Sequence, residues 1–419
     1  MSSLLASTQR ALHDVQVRLR APSRNARTAV VVGRLLGAAF LICFATGLYS
    51  HFIQDPLPWM WFPSRPVHLY QVTQGIHITA GIACFPLITA KLYAVFPELF
   101  QSPPIRSVRH LLERASIALF VAASLVEIVI GLLNTFQWYA LFPFPFRQTH
   151  FALSFVIIGS LAIHIGIKLP IIQRNWRAAD ATAYQAELRA TRDAEPAAPL
   201  SSGVTGKVMA WIDATPAPAR PAANRRTFLA ALVAGVVTVT ALTAGQSFRV
   251  LDPINVFAPR KKGTGPASVP VNRSAKGAKV TESAMAADWV LTIVSATATR
   301  AFTRTELSAM PQYEVDLPIA CVEGWSQMAH WRGPRMSDLV DLVDGPAHAS
   351  VTATSLEQNS TYATSTMESN FVRDPLTLVA LELNGDVLDL DHGYPARLIA
   401  PARPGVLQTK WLSKLEVNA

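Results

Sequence analysis

The chain has 419 residues, half of them apolar, and a formal net charge of +9. That length allows two or three domains. The cations border apolar blocks and form no stripe interleaved with aromatics, which excludes a nucleic-acid-binding surface and fits charges that orient membrane spans. Cys43 and Cys84 lie within apolar runs, where cysteine behaves as a small hydrophobe, and Cys321 has no local disulfide partner.

In chain order, residues 1–27 form a basic arm with Arg10, Arg18, Arg20, Arg24 and Arg27. Residues 28–178 hold four apolar runs, at 29–49, 72–96, 115–136 and 151–169, each near the ~20 residues a spanning helix needs. A fifth run, 227–244, lies in a segment 225–246 that opens with Arg225-Arg226-Thr227-Phe228-Leu229. Cations cluster in the arm, in the second connection (Arg106, Arg109, Arg114) and after the fourth run (Lys168, Arg174, Arg177). The first and third connections are aromatic instead, as in PWMWFP and QWYALFPFPF. The positive-inside rule then puts the N-terminus in the cytoplasm and everything beyond about residue 246 outside it. The chain reads as a multi-pass protein of the cell membrane, in contact with the lipid bilayer. Residues 179–224, rich in Ala and Pro, read as a cytoplasmic linker, and 247–283 as an extracytoplasmic one. The paired arginines resemble a twin-arginine export signal, which implies transport of an already folded domain.

Ionisable side chains inside spans are costly and mark function. His77 lies in the second run and His164 in the fourth, with His150 at the start of the fourth. At ~100° per residue, the spacing from His150 to His164 returns to nearly the same helix face with a rise of roughly 21 Å. A helix with a histidine near each end of one face suits axial ligation of two stacked haems, and neutral imidazole ligates haem iron well. Depth matches His77 with His150 on the outer side and His164 with His110 on the inner. An interhelical hydrogen bond is the alternative for each. Glu127 lies at a depth similar to His77, and Arg34 enters the first run. The layout resembles membrane cytochrome b subunits, which implies one or two b-type haems and a quinol or cytoplasmic electron donor.

Residues 284–419 have ordinary soluble composition. Stretches 289–294, 376–383 and 411–417 read as strands, Asn384-Gly385 as a hairpin turn and 335–343 as a short helix. Within this β-rich α+β domain two blocks stand out: LPIACVEGWSQMAHWRGPRMSDLV, containing Cys321, and DHGYPARLIAPARPGVLQTKWL, containing His392, Arg397 and Lys410. Both resemble the sulfite oxidase family of molybdopterin enzymes, which includes periplasmic methionine sulfoxide reductases. The resemblance implies a molybdenum–molybdopterin cofactor, with Cys321 as the catalytic metal ligand and His392, Arg397 and Lys410 holding the pterin and its phosphate. A thiolate suits a thiophilic metal, and cations with N–H donors suit a phosphate. Tyr362 and Arg373 are candidates for the substrate pocket.

The expected fold is therefore an all-α transmembrane four-helix bundle with a fifth anchoring helix, followed by the molybdopterin-binding domain. The expected activity is oxygen-atom transfer: haem in the membrane passes electrons to an external site that reduces a small S-oxide or N-oxide. The alternatives are oxidation of a small external substrate such as sulfite, with electrons passing inward, and a non-catalytic tethered binding protein of molybdopterin-like fold.

Overall fold

Each long apolar run forms a helix, because in hydrocarbon every backbone N–H and C=O must be satisfied within the segment. A computed structural model of the chain describes residues 21, 23–100, 105, 107–141, 144–177, 186, 225–258, 260–358 and 360–418. The basic arm up to residue 20 and, apart from residue 186, the linker 179–224 lie outside the described residues. Helices α1 (Ala26–Gln54), α2 (Leu69–Val95), α3 (Val108–Thr135), α4 (Phe146–Arg174) and α5 (Arg225–Thr243) are long and apolar enough to cross a membrane. Most extend beyond the apolar runs, since intrahelical hydrogen bonds still satisfy the backbone where the run ends. The paired arginines form the first turn of α5.

By contacts the chain divides into two units. The first comprises 1–42, 80–134 and 138–240. Its apolar core takes Val32, Leu36 and Phe40 from α1, and Cys84, Leu87 and Ile88 from α2. Phe120 of α3, Ile157 and Leu161 of α4 and Leu232 of α5 complete it. The four-residue steps from Val32 to Phe40 keep those side chains on one helix face. Lys168 pairs with Glu113, and the Lys91 ammonium donates to the Ala29 carbonyl at 2.7 Å. Arg34 lies 3.9 Å from the centre of the Trp176 ring, a cation–π contact.

The second unit comprises 43–79, 135–137 and 241–419. Its strands are β1 (Val290–Val294), β2 (Thr299–Thr303), β3 (Tyr313–Ala320), β4 (Ser326–Gly333), β5 (Ser350–Ser355) and β6 (Thr364–Met367). They continue with β7 (Leu378–Ala380), β8 (Glu382–Leu383), β9 (Asp386–Val387), β10 (Arg397–Ile399) and β11 (Leu412–Asn418). One sheet has the order β2-β1-β11-β5-β6, a second β3-β4-β8-β9, and β10 pairs with β7. Only β1 and β11 run parallel among these pairs. Asn384 and Gly385 both have positive φ, +52° and +89°, which fits the two-residue turn between β8 and β9.

The alternating burial along β5 marks one face on the core. The second half of β3, Leu317–Ala320, is buried on every residue, so this strand runs into the interior just before Cys321. Part of the stretch read as a linker is packed into the domain. Val269 is fully buried, and Ala275, Ala278, Val280 and Ala284 pack around Trp411. Small residues in short helices carry no clear periodicity, so composition alone reads as linker.

Candidate active site

Strands β3 and β4 pair in continuous register from Tyr313 opposite Gly333 to Ala320 opposite Ser326. The five residues between them close a tight turn. The Cys321 amide donates to the Trp325 carbonyl at 2.8 Å, and the Gly324 amide to the Cys321 carbonyl at 3.0 Å. Gly324 has φ of +98°, a conformation that disfavours a side chain. Cys321 is buried, and burial, followed by the neighbouring Glu323 charge, pushes its thiol pKa well up. Arg260 and Lys410 pull in the opposite direction. A bound thiophilic cation would tip the balance to thiolate. Among the described residues no group of three or more His, Cys, Asp or Glu side chains forms a metal cage. A lone thiol of this kind can supply one ligand to a thiophilic metal.

The second block folds around Gly393, whose φ is +106°. A methyl group there would lie 3.0 Å from Cβ of Lys410 and 3.1 Å from Cβ of Arg397. The bare glycine therefore lets these two cationic residues converge. The Arg397 guanidinium is 1% exposed and donates to the carbonyls of His392 (3.1 Å) and Gln408 (3.2 Å). Its buried Nε has no hydrogen-bond partner among the described residues, and its guanidinium carbon lies 5.0 Å from the Trp331 ring centre. The Lys410 ammonium donates to the carbonyls of Arg273 (2.5 Å) and Asp391 (2.9 Å) and to Asn272 Oδ1. Neither cation hydrogen-bonds a carboxylate among the described residues. Burial lowers the pKa of Arg397 to about 9 and that of Lys410 to about 7, with Arg397 adding to the Lys410 shift. His392 donates from Nε2 to the carbonyls of Pro266 (3.0 Å) and Val269 (3.1 Å). Burial, then Arg397 and Lys410, lowers its pKa to about 4, so its ring is neutral near pH 7.

Among the described residues, a buried guanidinium with carbonyl partners only and an orphaned N–H, beside a half-buried ammonium that meets backbone carbonyls and the Asn272 amide oxygen, fits an anion such as a phosphate ester. The turn Gly405–Leu407 brings this block to the first one: a methyl at Gly405 would lie 3.2 Å from the Ala320 carbonyl oxygen. The sequence-predicted Cys321, His392, Arg397 and Lys410 are thus brought together. Sequence reasoning missed Asn272, Arg273 and the Pro266 and Val269 carbonyls, because backbone acceptors in a turn-rich stretch have no sequence signature. It also missed Arg260 and the ends of α1 and α2. Arg260 donates to Gln137 Oε1, and Gln137 donates to Glu323 at 2.5 Å. The two candidate pocket residues each have hydrogen-bond partners in the fold. Arg373 binds Asp341 and the carbonyls of Gly345 and Pro346, and the Tyr362 hydroxyl donates to Gln54 at 3.2 Å.

Of the membrane histidines, His77 on α2 has Nδ1 2.9 Å from the Cys43 carbonyl and 3.5 Å from Cys43 Sγ. A methyl at Gly47 would lie 3.0 Å from its Cε1. His150 on α4 has Nδ1 3.2 Å from Glu127 Oε1 of α3. The His164 ring stacks nearly parallel to Phe120 at 6.3 Å, and its Nδ1 has no hydrogen-bond partner among the described residues. His110 lies in the first turn of α3, its amide bonded to Ser107 Oγ at 3.2 Å.

Residues 278–419 match the family described as oxidoreductase molybdopterin binding domain. The chain is 25% identical over 140 residues to mitochondrial sulfite oxidase of Mus musculus, covering 27% of this chain and 26% of that protein. It is 29% identical over 118 residues to the Azospira oryzae protein named "Putative protein-methionine-sulfoxide reductase subunit YedZ1", covering 28% and 44%. Over 112 residues it is 29% identical to the oxidoreductase YuiH of Bacillus subtilis, covering 26% and 55%. The chain spans between 26% and 55% of the length of these relatives.

Proposed function

We propose that this chain, whose residues 278–419 are a molybdopterin-binding oxidoreductase domain, is a membrane-bound reductase of S-oxides or N-oxides. The observation that carries the reading is the convergence of a buried thiol with a buried guanidinium and a half-buried ammonium, neither of which hydrogen-bonds a carboxylate among the described residues. Cys321 would hold molybdenum. Arg397 and Lys410 would hold the cofactor phosphate, and His392, fixed by two carbonyls, the pterin. Bound there, the cofactor supplies oxygen-atom transfer in two-electron steps. The chain's own contribution is to exclude water and to hold the thiolate and cations in place before the cofactor arrives.

The membrane histidines supply the second half of the proposal. His77, His150, His164 and His110 would ligate one or two b-type haems. Glu127 would orient the His150 ring in the manner of a carboxylate behind a metal-bound histidine. A quinol or a cytoplasmic donor would reduce the haem. The C-terminal domain would face away from the cytoplasm, and Arg225-Arg226 would direct its export once the cofactor is loaded.

The similarity to mitochondrial sulfite oxidase supports a second reading, in which a substrate such as sulfite is oxidised and electrons pass inward. One experiment decides. The full-length protein is purified and its molybdenum and haem content measured. The haem is then reduced, and methionine sulfoxide or an N-oxide is added. Reoxidation of the haem is the expected result. Reduction of oxidised haem by sulfite would establish the reverse direction. Protein with its fold intact but without molybdenum, from a cofactor-competent host, would favour a non-catalytic binding role.

A further inference from the structure

The turn that carries Cys321 is held by side chains from outside the domain's own sequence blocks. Three successive carbonyls of the turn each accept from a different one. Gln74 of α2 donates from Nε2 to the Val322 carbonyl at 3.0 Å. Gln246 donates to the Glu323 carbonyl at 3.4 Å. The Ser247 hydroxyl donates to the Gly324 carbonyl. All three side chains are buried, at 5%, 1% and 2% exposure. Gln74 and Gln246 each leave their other amide atom, Oε1, without a partner among the described residues. Burying such groups is unfavourable unless they serve an acceptor.

The packing is equally close. A methyl at Gly324 would lie 2.7 Å from Cγ1 of Ile78 on α2. Val322 and Ala320, which flank Cys321, pack with Tyr70, Ile53 and Tyr49 from α1 and α2. A turn of five residues cannot satisfy its own outward carbonyls, so donors from outside the turn serve them. Those donors come from α2 and from the segment that follows α5.

We propose that Gln74, Gln246 and Ser247 are positioning residues that clamp the Cys321 turn, so that side chains at the ends of the membrane helices fix the metal-binding thiolate. The proposal rests on the reading of Cys321 as the metal ligand. It adds that the catalytic domain's geometry is completed by α2 and by the segment that follows α5.

The test uses the full-length protein carrying Gln74→Leu, Ser247→Ala or both, with Asn370→Leu as control. Asn370 ties the domain to the Phe62 carbonyl at 2.9 Å, away from the turn. In protein from a host that cannot make the cofactor, alkylation of Cys321 is timed by peptide mass spectrometry. Loss of one hydrogen bond of ~1 kcal/mol should speed labelling about 3- to 10-fold in each single variant. In cofactor-loaded protein, the molybdenum(V) paramagnetic resonance should shift relative to wild type. The Asn370 control should show neither change at a comparable melting temperature. Ser247→Ala removes a single hydroxyl, so it remains informative if Gln74→Leu fails to fold. Wild-type labelling rates with an unshifted resonance, or the same changes in the control, would overturn the proposal. Wild-type protein without molybdenum would refute the metal-ligand reading alone, and the labelling rates would still decide the clamp.

Discussion

Replacing Arg397 by methionine separates an anion-holding cation from a structural one. The guanidinium is buried, bonded to two carbonyls and without a carboxylate at hydrogen-bonding distance among the described residues. Burial lowers its pKa from an ordinary 12.5 to about 9, which corresponds to about 5 kcal/mol of charge penalty in the cofactor-free protein. Arg397→Met removes that penalty and leaves the His392 and Gln408 carbonyls without their donors, at ~1–3 kcal/mol each. The two effects offset, so the cofactor-free variant should be within about 3 kcal/mol of the parent. The loaded protein should behave differently. Loss of a charge-assisted bond of ~1.5–3 kcal/mol weakens cofactor retention about 10- to 150-fold. The assay pairs urea unfolding of cofactor-free protein with pterin fluorescence and molybdenum content after dialysis of loaded protein. A variant that keeps its cofactor but unfolds far more easily would refute the anion-site argument and make Arg397 a structural tie.

Three further outcomes follow from the same geometry. Lys410 has its folded pKa lowered to about 7, against an ordinary lysine value near 10.4, so the unfolded state binds more protons between these values. Stability of the cofactor-free protein should be greatest above the unfolded value and be lost as pH falls toward 7. Lys410→Met should flatten that dependence in urea midpoints measured from pH 6.5 to 10.5, and an unchanged slope would contradict it. Gly324→Ala forces a side chain into φ of +98° and against Ile78. It should cost about 2–5 kcal/mol and speed Cys321 alkylation, whereas a melting temperature equal to wild type would show the turn to be loose. Glu127→Gln should keep the α3–α4 contact but weaken haem binding about 10- to 100-fold in a titration followed at the Soret band. Unaltered affinity would remove Glu127 from the proposed His150 site.

Much of this molecule is legible locally. Apolar runs predict the five helices because hydrophobicity over ~20 residues is a property of the run itself. The Asn384-Gly385 turn is legible because both residues tolerate positive φ, as they show here. Cys321, His392, Arg397 and Lys410 are found because each sits in a short block of distinctive residues. What these blocks are held by is a different matter. Gln74 and Val322 are 248 positions apart, and nothing in either neighbourhood marks them as partners. The carbonyls that fix His392 come from a stretch that composition reads as linker. The sequence alone thus determined which side chains are candidates for the chemistry and which segments are long and apolar enough to cross a membrane. Only the tertiary structure decided that α2 and the residues after α5 supply the donors for the Cys321 turn. Hydropathy and motif are carried by neighbours in the chain, whereas satisfying a buried carbonyl depends on whichever donor the fold brings within hydrogen-bonding reach.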